Sequence, residues 1–290
     1  MELEKIEIPN NPYFTFVIDM LDVALQLRIN DVPIFTDKEG GEASIEISMN
    51  EYLLQGSNQI QLTVNAIEGE EEFRSHAECN VSLYVRDKNM EANSRQPLWI
   101  IKAYPAELSV MDVNVLKPES RSSQCSHVYF VDEQFPDSIT VSSTVEIDYP
   151  FPQWAWIKGE FIDDNEENFK SLIEQYRDIH IHLQNKDLDV LKTYTQKKAE
   201  EFSIAYHMPA YEDGERLVGL ASEAMKNTQT LHPFWEKGMK LDVYANGRVA
   251  RIVDDDEDGP ILFLIGEGNA ANVLKLAFYK DEKKGWILIR

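Results

Sequence analysis

The chain has 290 residues, 43% of them apolar and 27% charged, with 51 acidic against 28 basic side chains and a formal charge of −23. That length accommodates two cores of ordinary size, and the apolar share is too high for a disordered polymer. The negative field repels phosphate backbones, so neither nucleic acid nor a membrane is expected as a partner; a basic protein suits the charge, and solubility is its plainer use.

In chain order, "MELEKIEIPNNPYF" is charged and lacks an apolar signal core, and no stretch of the chain reaches the length of a membrane span. The expected location is the cytoplasm, or the periplasm if an export signal has been removed. Up to about residue 150 the sequence is a series of short alternating segments: "YFTFVIDM", "VALQLRI", "ASIEISM", "QIQLTV", "CNVSLYV", "LWIIKAY", "LSVMDVNV", "HVYFV" and "ITVSSTVEIDY". In "ASIEISM", Ile45 and Ile47 take one face and Glu46 and Ser48 the other. In "CNVSLYV", Cys79, Val81, Leu83 and Val85 oppose Asn80, Ser82 and Tyr84. Strands without intervening helices predict an all-β antiparallel sandwich over residues 1–150. The two cysteines, Cys79 and Cys125, fit no zinc spacing; they are expected as thiols in a reducing compartment and are able to bridge in an oxidising one.

Within this half, "LQLRINDVPIFTDKEGGEASIEISMNEYLLQGSNQIQLTV" reads as strand, Asn-Asp turn, strand, loop, strand, short helical turn and strand. Gly56 supplies a turn with positive φ, and Asn58 can close it through its amide. The pattern of Ile29, Asn30, Tyr52, Leu53, Gly56, Asn58, Ile60 and Val64 resembles the accessory β-sandwich of β-galactosidase-type hydrolases and related jelly-roll, carbohydrate-binding-like modules. The resemblance covers about 40 residues. It implies architecture and carries no sugar-contact residue across, and Asp31 stands where those modules usually have glycine.

Pro150 and Pro152 in "EIDYPFPQWAWIKGEF" interrupt regular structure and place a linker or interface segment at 151–164. Trp154 and Trp156 alternate there and are candidates for aromatic contact with a sugar, or for packing of one domain on the other. Beyond it, Phe169, Leu172, Ile173, Tyr176, Ile179 and Leu183 recur at helical spacing, with Asp163, Asp164 and Asn165 as candidate N-caps. "NKDLDVLKTYTQKKAEEFSIAYHMP" predicts a second helix and "GERLVGLASEAMKN" a third. From about residue 238 the pattern returns to strands, with "ANGR" as a hairpin signal. Helices followed by a meander predict an α+β domain over 165–290, helices packed on a curved antiparallel sheet. That order weakly resembles the nuclear-transport-factor-like cone fold, whose members include enzymes, dimerisation modules and bacterial immunity proteins.

The chemistry is sparse. Asp254, Asp255, Asp256, Glu257 and Asp258 form a run of five acids. It starts like a calcium loop, but Ile265 stands where the bidentate acid belongs, so the run is expected to be a hairpin tip with a protein-docking role. His180 and His182 point to different helix faces. Within a cone cavity the candidates are His182, Tyr206, His207 and Asp242, none with a partner at motif spacing. No catalytic, cofactor or metal motif is present. Three functions are therefore expected, in this order. The first is a non-enzymatic acidic protein-binding module, such as a bacterial immunity or accessory protein that occludes a basic toxin. The second is a carbohydrate-binding protein acting through the sandwich, and the third a small-molecule enzyme or binder using the cone cavity.

Overall fold

The computed structural model describes residues 8–103, 105, 127–131, 138–226, 229–266 and 270–290. The chain divides into two compact units, Met1–Pro152 and Gln153–Arg290. It is a mixed α+β protein in which every described strand pair is antiparallel.

The first unit holds β1 (Pro12–Ile29), β2 (Val32–Ser48), β3 (Gly56–Asn65), β4 (Glu78–Asp87), β5 (Gln96–Ala103), β6 (His127–Val131) and β7 (Ser138–Ile147). They form one sheet in the order β5-β4-β1-β3-β7-β6, with β2 against β1. The segments "YFTFVIDM" and "VALQLRI", expected as two strands, are one 18-residue strand. Its register against β2 slips between Leu21 and Leu25. Asp22 sits at that bulge with φ 51°, opposite Gly40 and Gly41 with φ 75° and 136°. Arg74 donates to the Asp22 carboxylate at 2.9 Å, tying the bulge down. Beyond the bulge β1 changes partner: residues 12–21 pair with β4 and residues 24–29 with β3. The strand thus hands the sheet from one half to the other, a usual effect of a bulge. The halves face each other, since the buried Trp99 indole on β5 donates to Ser143 Oγ on β7 at 2.7 Å. The result is a nearly closed sheet, and Trp99, Phe16 and Leu62 are each at most 1% exposed in its core.

The 29–64 element closes through side chains. Asn30 and Asp31 turn β1 into β2 with φ 50° and 64°, the positive values a two-residue hairpin needs. Asn30 Nδ2 donates to Asn58 Oδ1 at 2.9 Å, and the Gln59 amide donates back to Asn30 Oδ1 at 3.0 Å. Asn58 also accepts from the Leu54 amide and donates to the Leu54 carbonyl, both at 2.8 Å. Truncating Asn58 orphans these buried groups at about 1–3 kcal/mol. The segment "LSVMDVNV" and Cys125 lie outside the described residues; Cys79 is a free, buried thiol whose pKa burial pushes up to about 12, which leaves it inert at neutral pH.

The second unit begins inside the expected linker. Residues Ala155–Lys158 form a short 3-10 turn, and the Ala155 amide donates to the buried Glu201 carboxylate at 2.6 Å. Helix α1 (Glu166–Asn185) starts at Asn165, whose side chain accepts from the Asn168 amide, and stops at Lys186 in the left-handed region with φ 58°. Helix α2 (Leu188–Ala205) follows. The expected third helix is broken in two, α3 (Tyr211–Val218) and α4 (Leu220–Ala224). Gly219 between them is extended, and a Cβ there would collide with the Glu215 carboxylate.

The strands of this unit do not make one curved meander. β9 (Lys240–Tyr244), β10 (Val249–Val253), β13 (Phe278–Asp281) and β14 (Gly285–Leu288) form a four-stranded sheet, while β8 (Gln229–Leu231), β11 (Leu262–Ile265) and β12 (Ala270–Val273) form a second. The "ANGR" hairpin does join β9 to β10, with Ala245, Asn246 and Gly247 all at positive φ. Leu172, Ile173, Tyr176 and Ile179 of α1 share a core with Ile252, Phe263 and Phe278 of both sheets. The Tyr176 hydroxyl stitches that core: it donates to the Leu276 carbonyl at 2.5 Å and accepts from the Ile252 amide at 3.2 Å.

Candidate functional site

On an antiparallel pair, residues directly opposite share a face. Register therefore places Asp19 of β1 between Ser44 of β2 and Asn80 of β4, with Lys102 of β5 beyond. One row along, Leu21 lies between Glu42 and Glu78. The alternate residues Met20, Cys79 and Ile101 are buried in the core, so these rows form the outer face. They line a cavity of about 610 Å3. Ser44 Oγ donates to Asp19 Oδ1 at 2.6 Å. Among the described residues, Glu42, Glu78 and Lys102 form no ion pair. Three carboxylates and one ammonium in an open polar hollow make a seat for a cationic group.

Toward the start of β1 the same face continues. Val17 pairs with Glu46 and Ser82, and Thr15 with Ser48 and Tyr84. A second cavity of about 250 Å3 opens there, lined by Tyr13, Glu46, Tyr84, Arg86 and Arg95 among others. The Arg86 guanidinium stacks 4.4 Å from the centre of the Tyr13 ring, and Arg95 stacks 4.7 Å from that of Tyr84. Arg95 pairs with Glu46. Arg86 Nη1 is held by the carbonyls of Asp87, Lys88 and Met90 at 3.1, 3.1 and 2.9 Å. This end carries two cations to one anion.

The acidic run at 254–258 is built differently. β10 is flanked by β9 and β13 and β11 pairs with β8 and β12, so the run is no hairpin tip but a turn that carries the chain from one sheet to the other. β10 has no free edge, and Pro260 has no amide to extend a ladder. Asp254 Oδ1 accepts from the amides of Asp256 and Asp258 at 2.9 and 3.0 Å. Asp255 pairs with Lys240 at 2.7 Å, and Glu257 with Arg251 at 2.9 Å. Two of the five carboxylates thus meet a cation and a third holds the turn's own amides.

The other sequence candidates do not assemble. Trp154 and Trp156 are 1% and 6% exposed, so their indoles offer no open platform to a sugar. His182 ends α1, pairs with Asp187 at 2.9 Å and packs on Tyr194, whereas Tyr206 and His207 close the far end of α2. Tyr206 stands twelve steps along the chain from Tyr194, about 18 Å along the axis. His207 itself is the left-handed stop after α2, with φ 53°. Asp242 lies on β9 and accepts from Arg251 at 2.6 Å. His182 and the Tyr206–His207 pair therefore stand well apart along α2.

Among the buried acids that went unread in the sequence is Glu215. Glu215 on α3 is 7% exposed; among the described residues its Oε1 has no geometrically sound hydrogen-bond partner, although the Tyr211 side chain interacts with the carboxyl. Its Oε2 lies 2.8 Å from Thr195 Oγ1, which also lies 3.2 Å from the Leu191 carbonyl. Thr195 has a single hydroxyl proton for two acceptors, so both bonds form only when Glu215 brings its own. Burial raises the Glu215 pKa in the same sense, against the Thr195 hydrogen bond and the charges of Lys192 and Lys198.

Among the described residues no group of His, Cys, Asp and Glu is placed to hold a metal ion, and no helix is long and apolar enough to cross a membrane. No protein-family model, curated protein or solved structure matches the chain.

Proposed function

We propose that this chain is a non-enzymatic binding protein that seats a basic segment of a protein partner in the groove on the outer face of β2, β1, β4 and β5. The observation that carries the reading is the unpaired acidic lining of the larger cavity, where Asp19, Glu42 and Glu78 outnumber Lys102. Unpaired surface carboxylates in a hollow gain more from an incoming cation than carboxylates already matched by their own chain. The overall charge of −23 adds long-range steering, which raises the association rate and fades with salt. Captured this way, a basic toxin or comparable partner is neutralised by occlusion of its cationic surface, in the manner of an immunity protein. Calorimetric titration of the full chain with a short lysine- and arginine-containing peptide, at rising salt, tests it. Binding should weaken with salt and be lost in Asp19→Asn/Glu78→Gln; a double variant that binds as well as the native chain ends the reading.

A second reading has its own support. The 29–64 element resembles carbohydrate-binding-like sandwich modules, and the rings of Tyr13 and Tyr84 line the smaller cavity. It predicts salt-insensitive binding of neutral oligosaccharides that is lost in Tyr84→Ala. No heat on titration with a glycan panel would remove it.

A further inference from the structure

The two cavities lie on one sheet face, share strands β1, β2 and β4, and carry opposite charge. The acidic end centres on Asp19 and the basic end on Thr15, four residues back along β1; Val17 and Ser82, in the row between, are themselves almost fully covered by the chain. Four strand residues span about 13 Å. An extended chain laid along β1 has the same rise, and its residues i and i+4 point to the same side. We infer that the groove takes one extended peptide segment carrying a basic side chain and, four residues away, an acidic one. The basic side chain sits among Asp19, Glu42 and Glu78, and the acidic one on Arg86 and Arg95. This deepens the reading of the groove as a seat for a basic partner and rests on it.

The alternatives fit less well. A uniformly basic segment drives a second cation onto two guanidinium groups, and a uniformly acidic one meets three carboxylates; like charges so placed cost affinity and select against wrong partners. A single amino acid is too short to reach both ends. The guanidinium planes are already oriented by their stacking on Tyr13 and Tyr84, so an incoming carboxylate does not have to order them.

The experiment is a set of short, otherwise neutral peptides titrated into the full chain by fluorescence anisotropy. One carries lysine and glutamate at i and i+4, one the same pair at i and i+3, and one lysine at both i and i+4. The i, i+4 lysine–glutamate peptide should bind about tenfold tighter than either of the others. Arg95→Glu should invert the order in favour of the double-lysine peptide, and Arg95→Gln, which adds no charge and keeps most of the side chain, should level it. Equal affinity for the double-lysine and lysine–glutamate peptides would overturn the two-charge inference while leaving the acidic seat standing. Failure of every peptide to bind would overturn both.

Discussion

Two acidic regions of this protein differ in every respect but charge. The run at Asp254–Asp258 is contiguous and conspicuous, yet its first carboxylate caps its own turn and two others hold Lys240 and Arg251. Asp19, Glu42 and Glu78 are scattered over 60 positions and inconspicuous, yet register brings them to one hollow with few cations of their own. Three carboxylates of the run already hold a cation or their own turn, whereas among the described residues Glu42 and Glu78 of the hollow pair with no cation. Contiguity in sequence here reports a turn, and convergence across strands forms the hollow.

The sharpest way to break this contrast is to neutralise each region in turn and measure affinity for the same basic peptide. Asp19→Asn/Glu78→Gln removes two charges from the hollow and should weaken binding by about 2–3 kcal/mol, on the order of a hundredfold. The fold should persist, because both side chains lie on the outer face and the amide oxygen introduced by Asp19→Asn can still accept from Ser44. If the same loss came instead from neutralising the 254–258 run, the assignment of roles would be reversed.

Glu215 gives the contrast a third member: a buried carboxyl that makes no ion pair among the described residues. Its folded pKa is raised by burial above the unfolded value, so the folded state binds the proton more tightly than the unfolded one. The stability this contributes is fully present below the unfolded glutamate pKa, about 4.3, and is lost as pH rises through the raised folded value. In Glu215→Gln the amide can donate to Thr195 at every pH, so its urea-unfolding free energy should fall less than that of the native chain as pH is raised from 4 toward neutrality. Parallel pH profiles for the two would show that Glu215 is ionised in the fold.

What the sequence disclosed follows the same division between local and distant. The closing of the Gly56 turn by Asn58 was legible because turn chemistry is local, a positive-φ glycine with an amide two residues on, whereas the bond from Asn30, 28 residues away, was not. The alternation of "CNVSLYV" correctly put Asn80, Ser82 and Tyr84 opposite the face of Cys79, Val81, Leu83 and Val85. Alternation tells which face a residue takes but not its neighbour, so the meeting of Asn80 with Asp19 and Lys102, set by register across three strands, was not legible. The splitting of the seven described C-terminal strands into two sheets was hidden for the same reason, since short strands of either sheet read alike. The helix break at Gly219 was missed because an isolated glycine is tolerated in helices; the acid that needs the space lies four residues earlier and becomes visible only once α3 is folded.

A smaller effect separates structure from charge within the run itself. Asp254→Ala removes the acceptor of two turn amides and should cost about 1 kcal/mol in unfolding free energy, as the loss of a capping carboxylate does, without changing peptide affinity at equal salt.

The smallest effect is the most discriminating. Asp256 is exposed, and its own amide is what Asp254 holds, so Asp256→Asn should leave stability within about 0.5 kcal/mol of native. It removes one charge from a field of −23, and long-range steering depends on the whole field. The association rate at low salt should therefore fall by less than about twofold, with the dissociation rate unchanged, as for a charge that steers but does not touch. A slower association together with faster dissociation in stopped-flow would put Asp256 in contact with the partner and return the docking surface to the run.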